Sequence, residues 1–349
     1  MTQFDRDKLI NSFSVLGDTM VLFGNNAAKE DMNPFLADLF YEKVNSIILR
    51  EKHYNGWFTE DSVRESLLSL GKLLSKGNLN DWVSDYPTVD HPKKVGLIMA
   101  GNIPLVGFHD FLSVLMSGNT AVVKLSSDDN RLLPVLIEML FELQPELKES
   151  VFVVPQIKNI DVVIATGSNN SARYFEKYFG HLPNIIRKNR TSVAVLNGNE
   201  TKEDLKELGK DLFTYYGLGC RNVSHLMIPK EFDLDRLFGA IVEYGDIINH
   251  HKYANNYDYY KAIYLLNREE FLENGFVLTK ESKTLFAPIS VLNYQRYNAK
   301  SEVVDFIGEH RDEIQAIVGS DFLPFGKAQS PALTDYADGV DTMEFLSNL

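Results

Sequence analysis

The chain of 349 residues has a single cysteine, Cys220, and so cannot close a disulfide within itself. Nothing in its cysteine usage points to an oxidising compartment. It has no run of about 18 apolar residues, the length needed to cross a bilayer. Its start, "MTQFDRDKLINSF", lacks the charged-then-apolar pattern of a secretion signal. Repeats and low-complexity segments are absent. An excess of positive charge is missing as well: 48 acidic against 35 basic side chains leave a net charge of −13, spread along the chain, with a local basic pocket for one small anion left open. Phosphate backbones reward grouped Lys and Arg, so a general nucleic-acid binder is excluded. A cytoplasmic protein with no nucleic-acid partner and no integral membrane segment is expected.

What is present is an ordinary globular balance, 44% apolar and 24% charged, with length for about two domains. The first 90 residues read as a helical region. Leu9, Phe13, Leu16 and Met20 fall at helical spacing, as do Phe35, Leu39, Phe40 and Val44, and Thr59 opens a further helix ahead of acidic residues. From "KKVGLIMAG" onward, short apolar strands alternate with longer helical segments. That alternation implies α/β architecture, with parallel sheets covered on both faces. The expected organisation is a helical region over 1–90, an αβ domain over 91–188, a second αβ domain over 189–325 and a tail over 326–349. The segment "SEVVDFIGEHRDEIQAIV" is expected to form one amphipathic helix. A cleft between two such domains is a common ligand site.

Cys220 lies in "TYYGLGCRNVSH", after Gly217 and Gly219 and before the strand-like "VSHLMIP". A lone cysteine is ordinarily a small buried hydrophobe. In a glycine-rich turn it is instead accessible, near backbone N–H groups that stabilise a thiolate or an oxyanion. His225, five residues on, is either a general base or a structural histidine. The aromatic stretch "KYANNYDYYKAIYLL" is either packing or the lining of an acyl channel.

"YYGLGCRNVSHLMIP" resembles the nucleophile segment of the aldehyde dehydrogenase superfamily, and in detail that of the LuxC-like acyl-CoA reductases. Other segments match in order. "GLIMAGNIPLVGFHDFL" resembles an Asn-x-Pro segment with Asn102 and Pro104, and "NTAVVKLSSDD" a lysine-bearing strand with Lys124. "IATGSNNSARYF" resembles a Thr-Gly-Ser turn with Gly167 and Ser168, and "TLFAPISVL" a Phe-Gly-Pro segment with Phe286 and alanine at the glycine position. Together they cover roughly residues 90 to 340.

The resemblance implies an aldehyde-dehydrogenase-like fold and reduction of a fatty acyl-CoA to aldehyde through a cysteine thioester. It implies Cys220 as nucleophile and Asn102 as oxyanion donor. Lys124, Ser127, Gly167, Ser168 and Phe286 would hold a nicotinamide dinucleotide, with no metal. Ser127 stands where a ribose-binding glutamate is common, and a serine can donate to a 2′-phosphate that a carboxylate would repel. NADPH is therefore expected, with NADH as the alternative. No G-x-G-x-x-G follows the strand before Gly167, which argues against an ordinary Rossmann dehydrogenase. The water-activating glutamate of hydrolytic relatives is missing: its matching position falls near Arg187, and that of a second glutamate falls on Thr284. Arg187, Lys188 and Arg190 form either a solvated basic turn or a coenzyme A phosphate contact. Self-association is implied by the superfamily. Two rivals remain, an acyl-transfer or thioesterase protein using the same cysteine and a catalytically silent scaffold.

Overall fold

A computed structural model describes residues 5–349; the first four residues, part of the expected helical region and of the segment searched for a secretion signal, lie outside it. The chain opens with four helices, α1 (Arg6–Gly24), α2 (Pro34–Arg50), α3 (Glu60–Leu73) and α4 (Lys76–Val83). Asp5, Asn33, Thr59 and Ser75 each accept a backbone N–H from the first turn that follows, which satisfies donors a helix start leaves open. α1 buries Leu9, Phe13, Leu16 and Met20, as its spacing requires. α2 differs from expectation. Phe40 and Val44 are buried with Leu36, Ala37 and Ile48, whereas Phe35 and Leu39 are half exposed. Its apolar stripe is rotated because Leu36 and Ala37 complete the 3.6-residue period with Phe40 and Val44.

Strands and helices then alternate: β1 (Lys94–Ile98), α5 (Phe108–Met116), β2 (Thr120–Lys124), α6 (Leu132–Leu143), β3 (Val151–Val153), β4 (Val162–Thr166), α7 (Asn169–Phe179) and β5 (Asn184–Arg187). They form a parallel five-stranded sheet of order β3-β2-β1-β4-β5. One core runs through α1–α6 and one face of this sheet. The other face carries Ile98, Val122, Ile157, Val163 and Ala165 against Phe175 and Phe179 of α7. β5 carries no long apolar run, and only its pairing with β4 makes it a strand.

The second series is β6 (Thr191–Val195), α8 (Lys202–Phe213), β7 (Val223–Pro229), α9 (Leu234–Ala240), α10 (His251–Asn267), β8 (Leu272–Glu273), β9 (Leu278–Glu281), β10 (Val291–Tyr297), α11 (Lys300–Glu309) and β11 (Ile314–Gly319). Its sheet has the order β11-β6-β7-β10-β9-β8 and is parallel except where β8 meets β9. The expected single helix over "SEVVDFIGEHRDEIQAIV" is two elements. It ends at Glu309, and Ile314–Gly319 becomes an edge strand paired with β6. The β-branched "IQAIV" gains ladder bonds and burial there that a longer helix would not supply. The segment "FDLDRLFGAIVEYGDII" is also divided, α9 stopping at Ala240 with 3-10 turns over Val242–Asn249.

The chain closes with α12 (Thr342–Ser347). Two compact units result, one of residues 1–188 with 332–349 and one of residues 189–331. The closing segment is tied into the first unit. Trp82 Nε1 donates to Tyr336 Oη at 2.8 Å, Tyr86 Oη to Asp341 at 2.7 Å, and Asn119 Nδ2 to the Leu346 carbonyl at 3.1 Å. Among the described residues no helix is long and apolar enough to cross a membrane.

Candidate active site

In the second unit, α8 ends at Phe213 and the chain turns through Tyr215, Tyr216 and Gly217, all at positive φ (53°, 60° and 79°). Left-handed backbone costs a glycine little and a tyrosine of order 1–3 kcal/mol. Two consecutive tyrosines there need compensation. Asn222, 2% exposed, supplies it. Its Nδ2 donates to the carbonyls of Asp211 at 3.1 Å and Thr214 at 2.9 Å, with Leu212 at 3.4 Å, and its Oδ1 accepts the Gly219 N–H at 2.8 Å. One carboxamide thus stoppers the end of α8 and folds the glycine turn. Cys220 is half-buried in that turn. Ser192 Oγ, on β6, donates to its carbonyl at 3.1 Å. Asp211, fully buried, accepts the N–H groups of Gly326 at 2.6 Å and Ala328 at 2.9 Å. Burial raises its carboxyl to about 6, against the pull of those two amides.

The strand after the cysteine fixes the second candidate segment. Ser224 Oγ donates to the Leu285 carbonyl at 3.0 Å, while His225 Nδ1 at 3.1 Å and Asn293 Nδ2 at 2.8 Å both reach the Thr284 carbonyl. Asn293 also donates to the Phe286 carbonyl at 3.1 Å. Phe286, half-buried, packs on the cluster of Val193, Met227 and Phe306. His225 itself is wholly buried and stacked on Phe306, and its Nε2 has no hydrogen-bond partner. Burial lowers its pKa to about 4 despite the bond to Thr284. Burial, the Phe306 stack and the Thr284 bond are the surroundings of a structural histidine.

In the first unit the other candidates gather at the carboxyl ends of three neighbouring strands. Lys124 ends β2, Asn102 lies in the loop after β1, and Gly167 and Ser168 follow β4. Lys124 stands level with Ile98 on β1, and its carbonyl accepts the Met99 N–H at 3.1 Å. The chain order reverses between β1 and β4, the place where open αβ sheets leave a crevice for ligands. Leu97–Ala100, Val106, Gly107, Asp110, Ile164 and Thr166 line such a crevice here. Ser127 is exposed, and Ser168 spends its hydroxyl capping α7 through the Ser171 N–H at 3.2 Å.

The Asn102 loop is held from outside. Ser66 Oγ on α3 donates to the Pro104 carbonyl at 2.8 Å, and Asp129 Oδ2 accepts the Leu105 N–H at 2.7 Å, where Leu105 sits at φ 59°. Gly101 has no room for a Cβ, which would lie 2.6 Å from Ser126 Oγ. Asp129 is buried, its Oδ1 has no partner, and desolvation with the nearby Glu51 raises it to about 7. Asp129 therefore points inward, whereas Asp128 is exposed.

Residues 62–231 match the family model described as acyl-CoA reductase (LuxC). Over that stretch, just under half of its length, the chain is similar to this family. No curated protein sequence matches it. Its fold is that of aldehyde dehydrogenases. The aldehyde dehydrogenase KauB from Pseudomonas aeruginosa superposes with a TM-score of 0.64 at 12% identity, covering 91% of this chain and 73% of that one. The betaine aldehyde dehydrogenase from Staphylococcus aureus, in complex with NAD+, gives 0.64 at 12%, covering 94% and 73%. An aldehyde dehydrogenase from Mycobacterium tuberculosis, complexed with NAD+, gives 0.56 at 15%, covering 90% and 75%. The family match is to acyl-CoA reductases and the likeness in fold is to aldehyde dehydrogenases.

The chain uses Arg187 structurally. It is buried, ion-paired with Asp110 on α5, and its Nη2 donates to Thr342 Oγ1 at 2.9 Å. Lys188 pairs with exposed Glu176 at 3.0 Å, and Arg190 donates to the Ile314 carbonyl at 3.1 Å. Arg187 is thus committed to protein partners and is not a coenzyme A contact. Sequence reasoning passed over Asn222 and Asp211. The first was legible as an asparagine closing a glycine turn; the second needed the fold to show what amides it receives.

Proposed function

We propose that this protein reduces long-chain fatty acyl-CoA to the aldehyde with NADPH, through a thioester on Cys220. The carrying observation is the sole cysteine, half-buried in a turn that Asn222 and Ser192 fix at the amino end of β7. In this reading the thiolate attacks the acyl carbonyl carbon, and the Asn102 carboxamide and the Cys220 N–H donate to the oxygen that becomes negative. Each such donor is worth about 3 kcal/mol to the transition state. The carbon–sulfur bond to coenzyme A breaks, coenzyme A leaves as its thiol, and the acyl group stays on Cys220. When bound, the nicotinamide supplies the hydride that turns this thioester into a thiohemiacetal. Collapse of the tetrahedral carbon then releases aldehyde and restores the thiolate.

The residues of the first unit fit a dinucleotide. Exposed Ser127 and the amino end of α7 offer polar groups suited to ribose and pyrophosphate. Lys124 and Ser127 would hold the adenosine ribose, and Gly167 and Ser168 would meet the pyrophosphate. Solved structures of the same fold carry NAD+. Neither position of the missing glutamates holds a carboxylate: Arg187 is tied to Asp110, and Thr284 is a threonine. Without a base to activate water, the thioester waits for hydride.

Loss of NADPH absorbance with acyl-CoAs of graded chain length tests the proposal. Cys220→Ala should lower turnover by about 10³-fold or more, and intact mass should show an acyl adduct on the wild type alone. Turnover retained by the alanine variant overturns the mechanism. Absence of binding to both NADPH and NADH in calorimetry favours the acyl-transfer alternative.

A further inference from the structure

We infer that Asn222 is the positioning residue of the nucleophile: its buried carboxamide presets the Cys220 turn for attack on the acyl carbonyl. The inference rests on the reading of Cys220 as nucleophile. Its grounds are geometric and lie within one unit. Asn222 bonds both sides of the turn, the carbonyls of Asp211 and Thr214 before and the Gly219 N–H after. Its own backbone closes the turn further. The Asn222 N–H donates to the Gly219 carbonyl at 3.0 Å, and its carbonyl accepts the Ser192 N–H at 3.1 Å. Cys220 is thus clasped between two residues that Asn222 holds together, while Ser192 Oγ pins its carbonyl.

The chemistry selects asparagine. The site needs a donor toward backbone carbonyls and an acceptor toward an N–H in one side chain, and an amide supplies both without a charge. Aspartate keeps the acceptor but turns an anion toward the Asp211 and Thr214 carbonyls. Alanine keeps neither.

A single cysteine makes the test direct, because iodoacetamide then reads one sulfur. Rates of alkylation against pH and of single-turnover acylation are measured for wild type, Asn222→Ala, Asn222→Asp and Ser192→Ala. Folding is followed by circular dichroism and dinucleotide binding by calorimetry. Asn222→Ala should slow acylation about tenfold or more, with NADPH affinity held within about twofold because the Asn222 side chain bonds Asp211, Leu212, Thr214 and Gly219 and none of the proposed cofactor residues Lys124, Ser127, Gly167, Ser168 and Phe286. Asn222→Asp should also shift the alkylation midpoint upward, the new charge opposing the thiolate. Ser192→Ala should slow acylation about threefold. Unchanged acylation and alkylation in the Asn222 variants, or losses that match the unfolded fraction, overturn the inference. If Asn222→Ala does not fold, the aspartate and serine variants decide it on the same criteria. A wild type that forms no acyl adduct defeats the nucleophile reading instead, and the alkylation profiles still report on the turn.

Discussion

The two loops that carry the proposed chemistry are held by opposite means. The Cys220 turn is closed from within, by an uncharged side chain two residues past the sulfur that bonds backbone three to eleven residues away. The Asn102 loop is braced from without, by Ser66 on α3 and by Asp129 after β2, 38 and 24 residues distant in sequence. The anchors differ in chemistry as well. Asn222 keeps its bonding at any pH, whereas Asp129 is a buried carboxyl raised to about 7. The side chain that closes one loop has no proton to lose, and the one that braces the other does.

That contrast is breakable. Asp129 has a folded pKa above its unfolded value, so the native state holds its proton longer. The contribution of Asp129 to stability should decline as pH rises from about 4 to about 7 and level off above. Asp129→Asn, which keeps an acceptor for the Leu105 N–H, should remove the slope and gain on the order of 3 kcal/mol at pH 8 in urea melts. A variant that parallels wild type across the window means the loop does not titrate through Asp129. His225 tilts the other way. Its folded pKa of about 4 lies below the ordinary value, so its contribution is full above about 6.5 and is lost as pH falls toward 4. His225→Phe should flatten the acid limb by on the order of 2 kcal/mol near pH 4 in thermal melts at matched ionic strength. An acid limb as steep as wild type excludes His225 as its source.

Two smaller substitutions sharpen the difference between local and remote bracing. Gly217→Ala places a Cβ at φ 79° and should cost about 1–2 kcal/mol while slowing acylation. No change in either would mean the turn relaxes without penalty. Ser66→Ala deletes the brace on Pro104 and should cost about 1 kcal/mol. Its kinetic signature should be a lower kcat with the KM for NADPH unchanged, and a raised KM alone would place the effect on the cofactor.

Much of this is visible in the residues themselves. The α1 stripe, the alternating strands from β1 to β4 and the glycine turn before Cys220 are local patterns, and they form where periodicity puts them. β5 and β11 were not visible, since "NIIR" and "IQAIV" become strands by pairing with β4 and β6. Arg187 is the sharpest case. In sequence it belongs to a basic turn, yet in the fold it is a buried cation matched by Asp110 and Thr342.

Sequence by itself determined the class of fold, the single sulfur and the order of the segments around it, because backbone periodicity and turn chemistry act over a few residues. Only tertiary structure decided that Asn222 closes the cysteine turn, that Asp129 faces Leu105 and that His225 is sealed against Phe306. A hydrogen bond or a desolvated charge depends on which distant groups arrive beside it, and that is settled only when the sheets and helices pack.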